Sequence, residues 1–167
     1  MSVRRFKAPW GQRLVAFTVM GSGLLLGIPL LGILTGPREQ LSWWLLMVVM
    51  PLLIWAIAAL FTVRGYVLAG DTLKVQRLGW QTCLSLQNLQ SADYRPQAMR
   101  RSLRLLGNGG LFSFTGQFRN AELGTYRAFV TDLEQTVVLT FPDRKIVLSP
   151  EPPGEFVDRV WSRQPDV

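Results

Sequence analysis

The hydrophobic pattern divides the chain into two parts with different periods. Residues 14–35 and 41–62 are two apolar runs without a single charged side chain. At about 1.5 Å per residue, each run forms a helix of roughly 33 Å, which is enough to cross a hydrocarbon layer of about 30 Å. Neither run shows the polar face of a helix that borders a soluble core. We therefore predict two transmembrane helices, at 14–35 and 41–62.

Only residues 36–40 separate the two runs, and so short a link predicts an antiparallel helical hairpin. Lys and Arg mark the cytoplasmic side of a membrane protein. The link has one such residue, Arg38, whereas segment 1–13 has four and the stretch after the second run has three: Arg4, Arg5, Lys7 and Arg13, then Arg64, Lys74 and Arg77. We therefore predict that both termini are cytoplasmic. A cleaved signal peptide is the competing interpretation, but the first run is too long and no A-x-A-like site follows it.

Glycine spacing in the first run suggests close helix packing. Gly23 and Gly27 are one turn apart, as are Gly32 and Gly36. Small residues at this spacing let two helix backbones approach closely, although Gly is also common in membrane helices for no specific reason. Neither run contains Asp, Glu, Lys or Arg, so the chain alone is not expected to move ions or protons.

From residue 63 onward the pattern changes to short alternating runs, which are typical of strands separated by turns. The final stretch differs, because Phe156, Val157, Val160 and Trp161 recur at helical spacing. Seven strands are predicted, at 63–69, 72–78, 82–86, 111–118, 124–131, 136–141 and 145–148. A more irregular middle segment contains a candidate further strand at 91–95, and the predicted helix is 152–163. We expect a domain at 63–167 of all-β or α+β class: about seven antiparallel strands in a bent barrel, capped by the C-terminal helix.

Composition argues against catalytic and metal chemistry. The chain has no His and one Cys, Cys83, so the commonest general base and the usual zinc ligands are missing. Asp132, Glu134 and Asp143 lie at strand ends or turns, where turn chemistry accounts for them. We expect no catalytic residue, no cofactor and no bound metal. The net charge of +7 is also no sign of a nucleic-acid partner, because segment 1–13 supplies four of these charges and residues 63–167 only three.

The basic cluster of Arg100, Arg101 and Arg104 is the candidate contact surface. A polybasic segment near a membrane gains about 1 kcal/mol per Lys or Arg from anionic lipids. Contact with lipid or with a protein partner is one interpretation, and a solvated loop is the other. Arg95, Arg119 and Arg127 extend the cluster only if the fold brings them together.

Several motifs in the second part of the chain occur together in a known family. They are LRLLGNGGLF at 103–112, G-x-FRN at 116–120, LG-x-YRA at 123–128, VTD at 130–132, VVL at 137–139, Ser149-Pro150 and Phe156. Over residues 63–163 the chain resembles the bacterial pleckstrin-homology (PH)-like domain family of short membrane proteins, in which a helical hairpin precedes the domain. The resemblance implies a bent or split seven-stranded barrel with a capping helix, and no reaction.

The sequence therefore predicts a non-enzymatic, membrane-anchored module at the inner surface of the bacterial plasma membrane. Such a module would contact a protein, anionic lipid headgroups, or both. The alternative is an accessory subunit that packs through its two helices into a larger membrane complex, or self-associates. The two interpretations differ in which part of the chain does the binding: the β-domain or the helices.

Overall fold

The computed structural model describes residues 3–37 and 39–162, which form three helices and ten strands. The helices are α1 (Gln12–Thr35), α2 (Leu41–Leu60, with a π-helical turn at Leu45–Val49) and α3 (Pro153–Trp161). The strands are β1 (Arg4–Lys7), β2 (Gly65–Ala69), β3 (Thr72–Gln76), β4 (Gln81–Ser85), β5 (Ser91–Tyr94), β6 (Leu103–Gly109), β7 (Phe114–Asn120), β8 (Gly124–Val130), β9 (Val137–Thr140) and β10 (Lys145–Leu148).

Helices α1 and α2 are long and apolar enough to cross a membrane. They form an antiparallel pair, the apolar hairpin, and their bounds agree with the predicted runs to within two residues. Two indole groups join them: Trp55 Nε1 donates to Ser22 Oγ at 3.0 Å, and Trp43 Nε1 donates to the Gly32 carbonyl at 3.4 Å. Arg38, which entered the topology prediction, lies outside the described residues.

The strands lie in two sheets. The small sheet has the order β1-β2-β3-β4 and is antiparallel throughout, and the large sheet has the order β5-β9-β10-β8-β7-β6. Within the large sheet, β8 and β10 are parallel and the other neighbours are antiparallel. The predicted sheets and C-terminal helix are confirmed, whereas no closed barrel is found among residues 3–37 and 39–162.

The predicted set of about seven antiparallel strands is wrong in number and partly in direction. Strand β1 was missed because its basic residues were attributed to topology, although Phe6 between them is buried. Strand β6 was missed because its leucines do not alternate between a core and solvent; Leu103, Leu105 and Leu106 are all exposed. The parallel pair arises because β10 inserts between β8 and β9, so no helical crossover is needed.

Both faces of the large sheet are covered. On one face Phe129, Leu139 and Ile146 pack with the small sheet and with Phe156 of α3. On the other face Phe118, Tyr126 and Val147 pack beneath the segment that follows β5, and Leu14 of α1 joins this second core. Burying two apolar faces gives a domain of this size enough core to be stable. The capping helix was predicted to reach Arg163, which lies outside the described residues.

Candidate interaction cleft

The β-domain is attached to the apolar hairpin at several points. Strand β1 precedes α1 and pairs with β2, which follows α2, so both ends of the hairpin enter the same sheet. The Gly11 N–H donates to the Thr131 carbonyl at 3.0 Å, and the Glu151 N–H donates to the Lys7 carbonyl at 3.0 Å. Residues 4–11 of the basic N-terminal segment therefore take part in the packing of the domain. The position of the domain relative to the hairpin is defined by these contacts.

The loop between β6 and β7 adds a further contact with the hairpin. The Phe112 ring lies 6.2 Å from Trp10 and 5.6 Å from Trp55, both edge to face. Its backbone N–H donates to Thr18 Oγ1 at 3.0 Å. Asn108 shapes this loop, since its Oδ1 accepts from the Gly110 and Leu111 N–H groups at 3.2 and 3.0 Å. The loop of residues Gly110–Ser113, directly after β6, therefore docks on the hairpin.

A cleft of about 550 Å³ lies between α2 and the strands of the domain. We call it the arginine cleft. Three arginines from three different strand regions and one phenylalanine line its domain side: Arg77, Arg104, Arg127 and Phe129. Residues of one helix face line the other side: Ile54, Ile57, Ala58 and Phe61. The cleft therefore joins a cationic wall to an apolar one.

The apolar wall is a single stripe of α2. Positions 54, 57, 58 and 61 follow the i, i+3, i+4, i+7 spacing of one helix face. Ile54 and Ile57 are 48% and 46% exposed, so no other part of the described chain covers them fully. The stripe is therefore continuous with the exposed apolar surface of the hairpin.

Arg77 is held where α2 ends. Its Nη1 donates to the Phe61 carbonyl at 2.8 Å and its Nε donates to Thr82 Oγ1 at 3.4 Å. A cation at this position satisfies a carbonyl that the helix leaves unpaired and interacts favourably with the helix dipole. The guanidinium also lies over three rings, at 5.3 Å from Phe61, 5.9 Å from Trp80 and 5.4 Å from Phe129. Arg77 is thus held in position by contacts within the protein.

Arg127 shares one of these rings with Arg77. Its Cζ lies 4.9 Å from the Phe129 ring centre. Partial burial lowers the pKa of Arg77, and the nearby positive charge of Arg127 lowers it further. Among residues 3–37 and 39–162, the ion pairs are Arg13–Glu134 and Arg144–Asp143, so no carboxylate neutralises Arg77, Arg104 or Arg127. The cleft therefore concentrates positive charge without an internal counterion.

Arg104 reaches the cleft because of two features of β6. The strand has a bulge between Arg104 and Leu106, which changes the direction of its side chains. Gly109 then leaves room for the guanidinium, since a Cβ at Gly109 would lie 2.9 Å from Arg104 Nη1. Any larger residue at 109 would displace this arginine from its present place.

The structure divides the predicted basic cluster. Arg104 lines the arginine cleft, whereas Arg100 lines a separate cavity of about 240 Å³ beside Arg13 and Glu134. Arg101 is exposed in a turn and has a φ of 54°. Arg127, named as a possible extension of the cluster, lines the arginine cleft together with Arg104. Arg77 entered only the topology prediction, because its place in the cleft depends on α2 and β8, which are distant from it in sequence.

The four predicted packing glycines have two different environments. A Cβ at Gly32 would lie 3.0 Å from Met47 Cβ, and a Cβ at Gly36 would lie 2.0 Å from Trp43 Nε1. Both therefore face α2. A Cβ at Gly23 or Gly27 would meet nothing within 4 Å. These two glycines lie on a part of α1 that the rest of the described chain leaves open.

The remaining polar candidates have ordinary structural partners. Asp132 Oδ1 accepts from the Glu134 N–H at 2.9 Å within a turn, Glu134 pairs with Arg13, and Asp143 pairs with Arg144. Cys83 is exposed on the edge strand β4. In the described part of the chain, His, Cys, Asp and Glu residues form no group that could hold a metal ion. The arrangement that stands out chemically is therefore the cleft, which is suited to an amphipathic anion.

The comparisons with known proteins agree with the fold. A family described as Bacterial PH domain matches residues 64–164, which is most of the β-domain and its C-terminal helix. No curated protein and no solved structure matches the chain significantly. PH domains are generally non-catalytic modules that bind lipids or proteins. The chain belongs to the bacterial PH domain family, with two apolar helices preceding the domain.

Proposed function

We propose that the protein is a non-enzymatic module anchored in the bacterial inner membrane by the apolar hairpin, with the arginine cleft contacting anionic lipid. The observation that carries this proposal is the absence of any carboxylate beside Arg77, Arg104 and Arg127 in the described chain, next to an apolar helix face. Each Lys or Arg near an anionic membrane surface gains about 1 kcal/mol. The protein acts by holding its binding surface in place: because the domain is docked on the hairpin, the arginine cleft stays beside the end of α2, at the membrane surface.

The proposed topology has both termini in the cytoplasm. The basic residues that flank the hairpin favour this orientation, and the pairing of β1 with β2 supports a common side for the N-terminus and the domain. Cys83 provides a test, since it is exposed and is the one cysteine of the chain. A membrane-impermeant maleimide should label it in inside-out vesicles and leave it unlabelled in intact cells. Labelling of Cys83 in intact cells would overturn the topology.

Hydrogen exchange in nanodiscs tests the lipid contact. The full chain is reconstituted in phosphatidylcholine alone or with added phosphatidylglycerol, and exchange is followed in β6 (Leu103–Gly109). We expect slower exchange in the anionic discs, and we expect Arg104→Glu with Arg127→Glu to abolish the difference. Arg159→Glu is the control, because α3 packs on β5 at the opposite edge of the large sheet. Identical exchange of β6 in the two lipids would refute the proposal.

A second candidate, a subunit of a larger membrane complex, is favoured by the open face of α1 at Gly23 and Gly27. A further helix would approach closely there. Gly23→Leu with Gly27→Leu should then release a partner or a second copy during purification in mild detergent. An unchanged mass of the purified particle would argue against this candidate.

A further inference from the structure

The geometry points to a single anionic phospholipid bound in the arginine cleft, with its phosphate at Arg77 and Arg127 and one acyl chain along the Ile54–Phe61 face of α2. This inference deepens the proposed function, on which it rests, by giving the anionic lipid a defined site, orientation and stoichiometry. The occupant is a lipid of the surrounding membrane, held by side chains that the fold has already positioned.

The charges are the first argument. Arg77 and Arg127 both lie within 5.4 Å of the Phe129 ring centre, and each lacks a carboxylate partner in residues 3–37 and 39–162. Arg77 is half-buried, and Arg127 lies exposed beside it. A half-buried cation next to a like charge is destabilised unless an anion accompanies it. A phosphate accepts hydrogen bonds from several guanidinium N–H groups at once, which makes it the matching anion.

The available donors are the second argument. Arg77 uses its Nε and Nη1 groups for Thr82 and Phe61. A guanidinium has five N–H donors, so donors remain for a phosphate while the protein bonds keep the side chain in place. Such a preorganised donor reduces the entropy that binding would otherwise cost. Arg104, held over Gly109, lines the same cleft and adds a third cation.

The apolar wall is the third argument, and it separates a lipid from a small soluble anion. From Ile54 to Phe61 the helix face extends for about 10 Å at roughly 1.5 Å per residue. A soluble phosphate would leave Ile54 and Ile57, which are nearly half exposed, without a partner. A phospholipid carries its phosphate next to its acyl chains, so the phosphate can lie at the cationic wall while a chain lies along the apolar wall. The volume of about 550 Å³ lies within the usual range for ligand sites, roughly 300–1,000 Å³.

Native mass spectrometry of the full chain released from micelles tests the inference. The micelles contain equimolar phosphatidylglycerol and phosphatidylcholine. We expect one retained phosphatidylglycerol per chain, with phosphatidylcholine retained far less. Arg127→Gln should weaken retention about tenfold, the scale expected for losing one charge-assisted hydrogen bond. Arg159→Gln, which removes a charge at the opposite edge of the sheet, should retain the lipid like the wild-type chain.

A second variant tests the apolar wall without changing any charge. Ala58→Trp fills the cleft beside α2 and should displace the lipid. In the wild-type chain, added glycerophosphate should not displace the bound phosphatidylglycerol, because it has no acyl chain. Equal retention of both lipids, several lipids per chain, or retention unaffected by Arg127→Gln and Ala58→Trp would overturn the inference. A dimer without lipid would assign the cleft to a second copy instead. If β6 exchange responds to anionic discs but no lipid is retained, the proposed function stands and the defined site fails.

Discussion

Gly107 and Gly116 face each other across β6 and β7, and neither position has room for a methyl group. A Cβ at Gly107 would lie 2.2 Å from the Thr115 carbonyl oxygen, and one at Gly116 would lie 2.1 Å from that of Leu106. Their φ angles are 107° and 129°, which side-chain-bearing residues rarely adopt. This close approach lets β6, with its bulge, pair with β7 and carry Arg104 to the cleft.

Replacing either glycine should therefore destabilise the domain. We expect Gly107→Ala or Gly116→Ala to lower the free energy of unfolding by about 1–3 kcal/mol, because both space and backbone conformation are violated. The unfolding midpoint in detergent, followed by circular dichroism, measures this. Gly154→Ala is the matched control, because a Cβ there meets nothing within 4 Å and alanine favours a helix. A common shift for all three variants would contradict the steric explanation.

The glycines of α1 give a second prediction. Gly32 faces Met47 and Val48 of α2, whereas Gly23 faces open space. We expect Gly32→Leu to separate the helices and lower the unfolding midpoint, since the side chain cannot fit between the backbones. Gly23→Leu adds the same side chain without that clash. Equal midpoints for the two variants would show that Gly32 does not determine hairpin packing.

Phe112 provides a test of domain docking. Its ring contacts Trp10 and Trp55, and its N–H donates to Thr18. We expect Phe112→Ala to increase hydrogen exchange in Gly110–Ser113 by at least several-fold, because the ring no longer holds the loop against the hairpin. Leu105→Ala is the control, since Leu105 is 54% exposed. Unchanged exchange in the loop would mean that the other attachments alone fix the domain.

The buried side chain of Tyr66 makes the free energy of unfolding depend on pH in the alkaline range. Tyr66 Oη donates to the Phe129 carbonyl at 2.6 Å and accepts from the Ser149 N–H at 3.1 Å, and burial raises the pKa of Tyr66 to about 12. Tyr66→Phe removes both of these buried hydrogen bonds and should lower the free energy of unfolding by about 1–3 kcal/mol at neutral pH.

The pH dependence of Tyr66 has a definite sign. The raised pKa favours the protonated folded state, so its contribution is complete below the unfolded pKa of about 10 and declines as pH rises toward 12. Between these values wild-type stability should fall up to about 1.4 kcal/mol per pH unit more steeply than that of Tyr66→Phe. Denaturant titrations from pH 9 to 12 provide the comparison. Parallel curves for the two proteins would refute the assignment.

The hairpin and the C-terminal helix could be predicted because their signals are local. Charge-free runs locate α1 and α2, and the spacing of Phe156 and Val160 locates the buried face of α3. Strand β6 could not be predicted in the same way. Its leucines are exposed, and the strand is defined by pairing with β7 and by the two facing glycines rather than by a buried face.

The cleft could be predicted only in part, because its walls come from distant segments. Arg104 and Arg127 stood out as basic residues near glycine-rich turns and strands. Arg77 acquires its position from the end of α2, from Phe129 and from Thr82. Neither the alternation of β3 nor the local charge pattern contains that information. The sequence therefore identified a basic surface, and the fold determined which arginines share it.

Photocrosslinking measures most directly whether anionic lipid occupies the arginine cleft. The full chain is reconstituted with phosphatidylglycerol that carries a diazirine near the start of one acyl chain, and labelled peptides are mapped by mass spectrometry. The account predicts labelling concentrated on Ile54–Phe61, above that of the exposed α1 leucines, and strongly reduced by Arg127→Gln. Even labelling of both helices, unchanged by Arg127→Gln, would contradict it.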